Sequence, residues 1–288
     1  MIEQPTLGEL WASRDLFRDP ILAATAAGTI LGWLGVYVVL RRMVFVAAAV
    51  SQAAALGVAL AFYAQIHLAT DVSPVLGAVS LTFLVSLLFM LDPLRLRITR
   101  ESILGLAFVF AGGSAVAIGD RISQEAHEIG SILFGTAVLV RTFDLWLILI
   151  LASLLLIGHI WTTRGMLLSS FDPDAARVQG LPIRLLDAFL FLSVGAMVAV
   201  ATRALGALPV FAFTVLPAMA ALAIGGRLWF VLILSACLGA LSGGLGYVLA
   251  FMRDLPVGAS QTIVAACWVG AALLVRLLIP RVGGLLGR

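Results

Sequence analysis

The chain has 288 residues, 62% of them apolar and only 11% charged, with a mean hydropathy of +1.14. Soluble domains carry about 25% charged residues, so this composition excludes an ordinary water-soluble globular protein. The net charge of +3 comes from arginine alone, since lysine is absent, and the arginines are spread over loops without the basic stripe between aromatic residues that binding to nucleic acid requires.

In chain order, residues 1–20 carry Glu3, Glu9, Arg14, Asp15, Arg18 and Asp19 and lack the apolar stretch of a cleavable signal peptide. Thr6 and Glu9 have capping-box spacing, and Leu7, Leu10, Trp11 and Phe17 fall near one helical face. This segment is therefore expected to lie in the headgroup region as an amphipathic helix. Nine nearly charge-free runs follow: Ile21–Leu40, Val44–Ala64, Val75–Leu91, Ile103–Ile118, Leu145–Ile160, Leu185–Ala201, Leu208–Ile224, Leu228–Phe251 and Thr262–Ile279. A 20-residue helix spans a hydrocarbon core of about 30 Å, so the expected fold class is all-α: a polytopic membrane bundle of nine transmembrane helices, one domain over residues 21–288.

Nine spans put the termini on opposite sides of the membrane, and the arginines set which side is which. With Arg41, Arg42, Arg95, Arg97, Arg100, Arg164, Arg177, Arg184, Arg227, Arg281 and Arg288 inside, only Arg14, Arg18, Arg121, Arg203 and Arg253 lie outside, Arg141 and Arg276 near span ends being left uncounted. The N-terminus is expected outside and the C-terminus in the cytoplasm of a cell-membrane protein.

Two stretches fit neither a span nor a tight turn. Ser131–Val140 is apolar but too short to cross, so it is a re-entrant or interfacial piece or the start of a bent fifth span. Trp161–Arg184 reads as the longest cytoplasmic loop. Within it, Asp172 and Asp174 flank Pro173, and Gly180 and Pro182 follow, the polarity of a short capped helix suited to docking. Glycines at GxxxG spacing, Gly28 with Gly32 and Gly239 with Gly243, call for close helix packing, and Pro217 in mid-span calls for a kink. Cys237 and Cys267 lie far apart inside apolar runs and read as packing residues.

Chemistry is sparse. Without lysine there is no nucleotide-binding Walker A motif, and HExxH, GxSxG and paired intramembrane carboxylates are absent, so the chain is not expected to be an enzyme or to bind a cofactor. His159 and Arg276 lie near span ends and are expected to snorkel. The deep polar groups are Ser51, Gln52, Thr82, Ser86, Ser193, Thr214, Ser235 and Ser242. A secondary transporter or channel remains an alternative, weakened by the lack of a buried carboxylate for a coupling ion.

Five segments carry a resemblance. The stretch LGWLGVYVVLRRMVFVAAAVSQAAALGVAL (31–60) is followed by SILFGTAVLVRTFDL, FDPDAARVQGLPIRLLD, GALPVFAFTVLPAMAALAI and DLPVGASQTIVAA, and together they resemble the permease subunits of zinc, manganese and iron ABC importers, in the family's order. The resemblance implies the type II ABC importer fold, a second copy of the permease, a cytoplasmic ATPase dimer that holds ATP and magnesium, and an extracytoplasmic substrate-binding protein. It implies ATPase coupling through Phe171, Asp172, Ala175, Ala176, Arg177, Gln179 and Gly180. It also implies a substrate pathway near Ala48, Ser51, Gln52, Thr214 and Pro217. Members commonly carry an aspartate and a histidine where this chain has Ala48 and Gln52, and a neutral amide is a weak partner for zinc. Three readings stand: a weakly polar pathway that only gates, a metal chelate or other small solute as substrate, or an entry site at His67 and Asp71.

Overall fold

The computed structural model describes residues 14–90, 100–122 and 140–278. Among them are ten helices: α1 (Arg14–Leu40), α2 (Val44–His67), α3 (Pro74–Met90), α4 (Arg100–Ile122), α5 (Thr142–Phe171), α6 (Pro173–Val178), α7 (Ile183–Leu205), α8 (Ala207–Ile224), α9 (Leu228–Arg253) and α10 (Val257–Leu278). Eight are long and apolar enough to cross a bilayer, and α3 is a shorter apolar helix of 17 residues. All nine expected spans are thus helices, joined by the short α6.

In a bilayer the outside of a bundle is as apolar as its core, so helices are held by close van der Waals contact more than by removal of apolar surface from water. The sequence supplies small residues where this contact is made. Central α1 packs against α9, α8, α5 and α7. A Cβ on Gly28 would run into the Gly239 carbonyl of α9, one on Gly32 into that of Ser235, and one on Gly35 into that of Thr214 on α8. The Ser235 hydroxyl donates to the Gly32 carbonyl at 2.6 Å, which satisfies a buried hydroxyl across the same seam. A second seam joins α2 and α3, where Gly57 and Gly77 meet backbone to backbone. Leu106, Val109 and Phe110 of α4 and Leu154 and Ile157 of α5 face outward as lipid-facing surface.

The antiparallel hairpin α5/α7 is tied at one end by an ion pair and at the other through Arg41. Arg203 at the end of α7 donates to Asp144 at the start of α5 at 2.8 Å, both side chains largely buried. At the other end Arg41, just past α1, pairs with Asp187 of α7.

Four expectations change. The loop from Trp161 to Arg184 is mostly helix: α5 runs unbroken to Phe171, 30 residues or about 45 Å, half as long again as the hydrocarbon core. Hydropathy falls at Trp161–Arg164, but nothing there breaks a helix, and the Thr162 and Thr163 hydroxyls bond back to carbonyls one turn earlier. His159 does not snorkel. It is fully buried, with its ring between Tyr37 and Phe189 at centroid distances of 5.8 and 4.6 Å. Cys237 and Cys267 are exposed on outer faces of their helices rather than packed inside. Finally, α1 begins at Arg14 and continues through Pro20, so residues 14–20 prolong the first span. The capping-box segment of residues 1–13 and the short apolar segment 131–139 lie outside the described residues.

Candidate functional site

One cavity of about 430 Å³ is lined by Phe45, Ala48, Ser51 and Gln52 of α2, Phe108 of α4, and Ala207, Leu208 and Phe211 of α8. Positions 48 and 52 are one turn apart on α2, so a regular helix presents both to the same space. The Ser51 hydroxyl is spent on the Ala48 carbonyl at 2.9 Å. The Gln52 amide makes no hydrogen bond among the described residues, and its Oε1 lies over Gly112 of α4, where a Cβ would stand 3.3 Å away. Among the described residues Gln52 is therefore the polar side chain of this wall without a hydrogen-bond partner, beside the internally bonded Ser51, with one carbonyl acceptor and two N–H donors to offer.

At ~30 Å³ per water, the cavity holds on the order of ten waters, enough for a small cation to keep much of its hydration shell. A neutral amide binds such an ion weakly, and weak binding permits exit as well as entry. Thr214 and Pro217 do not line this space. Thr214 is fully buried, its hydroxyl donating to Val210 O at 2.8 Å and its own carbonyl closed over by Gly35. Pro217, three residues on, is buried in α8 and leaves the Phe213 carbonyl without its helical donor.

The second feature is α6, between the long α5 and α7. Its N-cap Asp172 accepts the Ala175 N–H at 2.9 Å, and Pro173 occupies the first turn, where its missing N–H costs nothing. Its end is a Schellman motif: Gly180 N–H donates to Arg177 O at 2.9 Å and Leu181 N–H to Ala176 O at 3.1 Å, with Gly180 at φ +72. Asp174 and Arg177 pair at 2.8 Å on the exposed face, a contact worth little by itself.

Of the residues expected to touch an ATPase, Phe171, Asp172, Arg177, Gln179 and Gly180 are exposed and Ala175 is half-buried. Ala176 is fully buried: a helix this short needs one side chain to seat it on the bundle, and Ala176 faces inward. Val178, by contrast, is 90% exposed, an apolar side chain on a helix too short to be a span. Sequence reading passed over Val178 because it breaks no local rule.

His67 stacks on Tyr63 at 4.3 Å at the exposed end of α2, and Asp71 is exposed in the following loop. No group of three or more His, Cys, Asp or Glu side chains suited to a metal exists among the described residues, so the pair gains no third ligand. The aromatic lining from Phe45, Phe108 and Phe211 was also missed, since apolar residues in apolar helices carry no sequence signal of what they face.

Comparison with known proteins places these features in context. The chain is 26% identical over 251 residues to the manganese import system permease protein ScaB of Streptococcus parasanguinis, covering 86% of each. It is 27% identical over 256 residues to the manganese transport system membrane protein MntC of Halalkalibacterium halodurans, covering 88% of this chain and 85% of that one. Its fold superposes on PsaBC from Streptococcus pneumoniae, solved in complex with Fab, with a TM-score of 0.82 over 95% of this chain and 96% of that one at 20% identity. The bundle is that of type II ABC importer permeases. The model of the ABC 3 transport family matches residues 13–276, and the chain belongs to that family.

Proposed function

We propose that this protein is the non-catalytic permease subunit of an ATP-driven importer of a divalent transition metal, manganese before zinc or iron, and that it works by alternating access as one of two copies. The observation that carries this reading is the similarity, over more than four-fifths of the chain, to permeases named for manganese import. In this reading α6 docks a cytoplasmic ATPase through Phe171, Asp172, Arg177, Val178, Gln179 and Gly180. ATP and magnesium bind to that partner, and an extracytoplasmic binding protein delivers the metal. The α6 end of the bundle faces the cytoplasm, which agrees with the clustering of Arg41, Arg42, Arg164, Arg177 and Arg184 around it.

The substrate is a hard cation that favours oxygen ligands, and the Gln52 carbonyl is the ligand this cavity offers. Transit without a charged ligand leaves selection to the binding protein. One observation favours a second reading, a metal chelate or other small solute: among the described residues the cavity wall holds no carboxylate, imidazole or thiol.

The test is uptake by proteoliposomes holding this permease, its ATPase and its binding protein, with elemental analysis and mass spectrometry of the binding protein as purified. Radiolabelled manganese that accumulates only with ATP supports the first reading, and an organic ligand around the metal supports the second. Uptake without ATP refutes the pump in favour of a channel or secondary transporter.

A further inference from the structure

Arg41 was expected among solvated loop charges, yet its guanidinium is largely buried and engages two other helices. Nε donates to the Ser170 hydroxyl and Nη2 to the Ser169 hydroxyl, both at 2.9 Å, and Nη1 donates to the Asp187 carboxylate. The two serines in turn donate to the Met166 carbonyl, which leaves their oxygens free to accept from arginine. Ser169 and Ser170 form the last turn of α5, immediately before Phe171 and the N-cap Asp172; Asp187 is in the first turns of α7. One side chain thus holds both stems of α6. The planar fork of arginine makes this possible, since three acceptors on two helices need donors in fixed directions.

On its other side Arg41 opens the turn that leads into the cavity. Met43 N–H donates to Val38 O at 2.9 Å and Arg42 N–H to Val39 O at 3.0 Å, a Schellman closure that holds Arg42 at φ +57, a left-handed conformation rare outside glycine. The next residue, Val44, starts α2, and Phe45, Ala48 and Gln52 follow within about 12 Å of helix. This turn has no loose residue to absorb a displacement, because the left-handed position is pinned by both closing bonds.

Resting on the docking role proposed for α6, we infer that Arg41 is a positioning residue. It transmits movement of the α6 stems through the Arg41–Arg42–Met43 turn to the cavity wall on α2, so that the state of the ATPase sets the exposure of position 52. Arg41 touches no substrate; it acts on the pathway through α2.

The experiment labels a cysteine placed as Gln52→Cys, with Cys237→Ala and Cys267→Ala, in the assembled complex with its ATPase, with and without nucleotide trapped by vanadate. With Arg41 intact, the labelling rate changes between the two conditions by at least about fivefold, the lower range of couplings between distant sites. Arg41→Lys, which keeps the charge but loses the fork, and the pair Ser169→Ala with Ser170→Ala abolish that change while complex yield and basal ATP hydrolysis stay at the level of the intact protein. An unchanged nucleotide response in both variants overturns the inference alone and leaves the importer reading standing. Equal losses of assembly, basal hydrolysis and labelling response also overturn it, since Arg41 would then be a fold residue. A response absent even with Arg41 present, in a complex that still shows ATP-dependent uptake, overturns the inference and removes position 52 from the pathway; loss of ATP dependence of uptake in the intact complex refutes the importer reading itself.

Discussion

Gly180 offers a substitution series in which backbone strain and bulk rank asparagine and alanine in opposite order. Its φ of +72 is in the left-handed region, and nothing lies within 4 Å of the place a Cβ would occupy, so substitution meets strain and no clash within this chain. An L-residue in that conformation costs about 1–2 kcal/mol, which is about a 5- to 30-fold change in the population of the Schellman-closed end of α6. Asparagine tolerates the left-handed region, alanine less so, and β-branched valine least. If α6 must be preformed to dock, affinity for the ATPase subunit should fall in the order Gly180, Gly180→Asn, Gly180→Ala, Gly180→Val, with valine weaker than glycine by about tenfold. The assay is binding of purified ATPase subunit to the solubilised permease by interferometry, paired with manganese uptake in proteoliposomes. If Gly180→Asn is worse than Gly180→Ala, bulk at the contact governs and the strain reasoning is refuted. If Gly180→Val binds as glycine does, α6 is not the docking element.

Three further outcomes follow from the packing. Gly28→Leu drives a side chain into the Gly239 carbonyl and should cost about 3 kcal/mol, the upper range for overpacking, whereas Gly105→Ala on α4 meets nothing and should stabilise by about 0.5–1 kcal/mol; denaturation of the two variants in mixed micelles checks both signs. Asp144→Asn leaves Arg203 largely buried and unpaired and should cost roughly 3 kcal/mol, most of it recovered when Arg203→Gln is added, as a double-mutant cycle of unfolding free energies would record. His159→Phe should hold or raise stability by about 1 kcal/mol, because neither ring nitrogen has a hydrogen-bond partner among the described residues and phenylalanine preserves the stack between Tyr37 and Phe189; a lower melting temperature would show that the imidazole has a polar partner after all.

The location of the site was partly legible. Ala48, Ser51 and Gln52 were picked out by spacing and resemblance, and the fold places all three on one cavity wall. Thr214 and Pro217 carried other signals, polarity and helix-breaking in mid-span, yet Thr214 meets Gly35 of α1 and Pro217 is buried away from the cavity. A hydroxyl in a membrane helix bonds its own backbone as readily as it lines a path, so polarity alone does not separate the two roles. The burial of Ala176 was not legible for a related reason: in a six-residue helix the inward side chain and the exposed ones are neighbours in sequence.

Hydropathy is a local property, and the chain by itself determined nine apolar helices, a capped helix between the fifth and sixth of them, and, at Gly28, Gly32, Gly239 and Gly243 but not at Gly35, Gly57 or Gly77, the glycines at which backbones meet. Tertiary structure alone decided which faces meet. Gly28 meets Gly239 and Gly35 meets Thr214, while Arg41, one arginine among several in apparent loops, becomes the tie between α1, α5 and α7. The physical reason is the solvent: with lipid outside and apolar side chains inside, hydrophobic periodicity no longer points inward, and partner choice passes to shape and to a few buried polar contacts that local sequence does not encode.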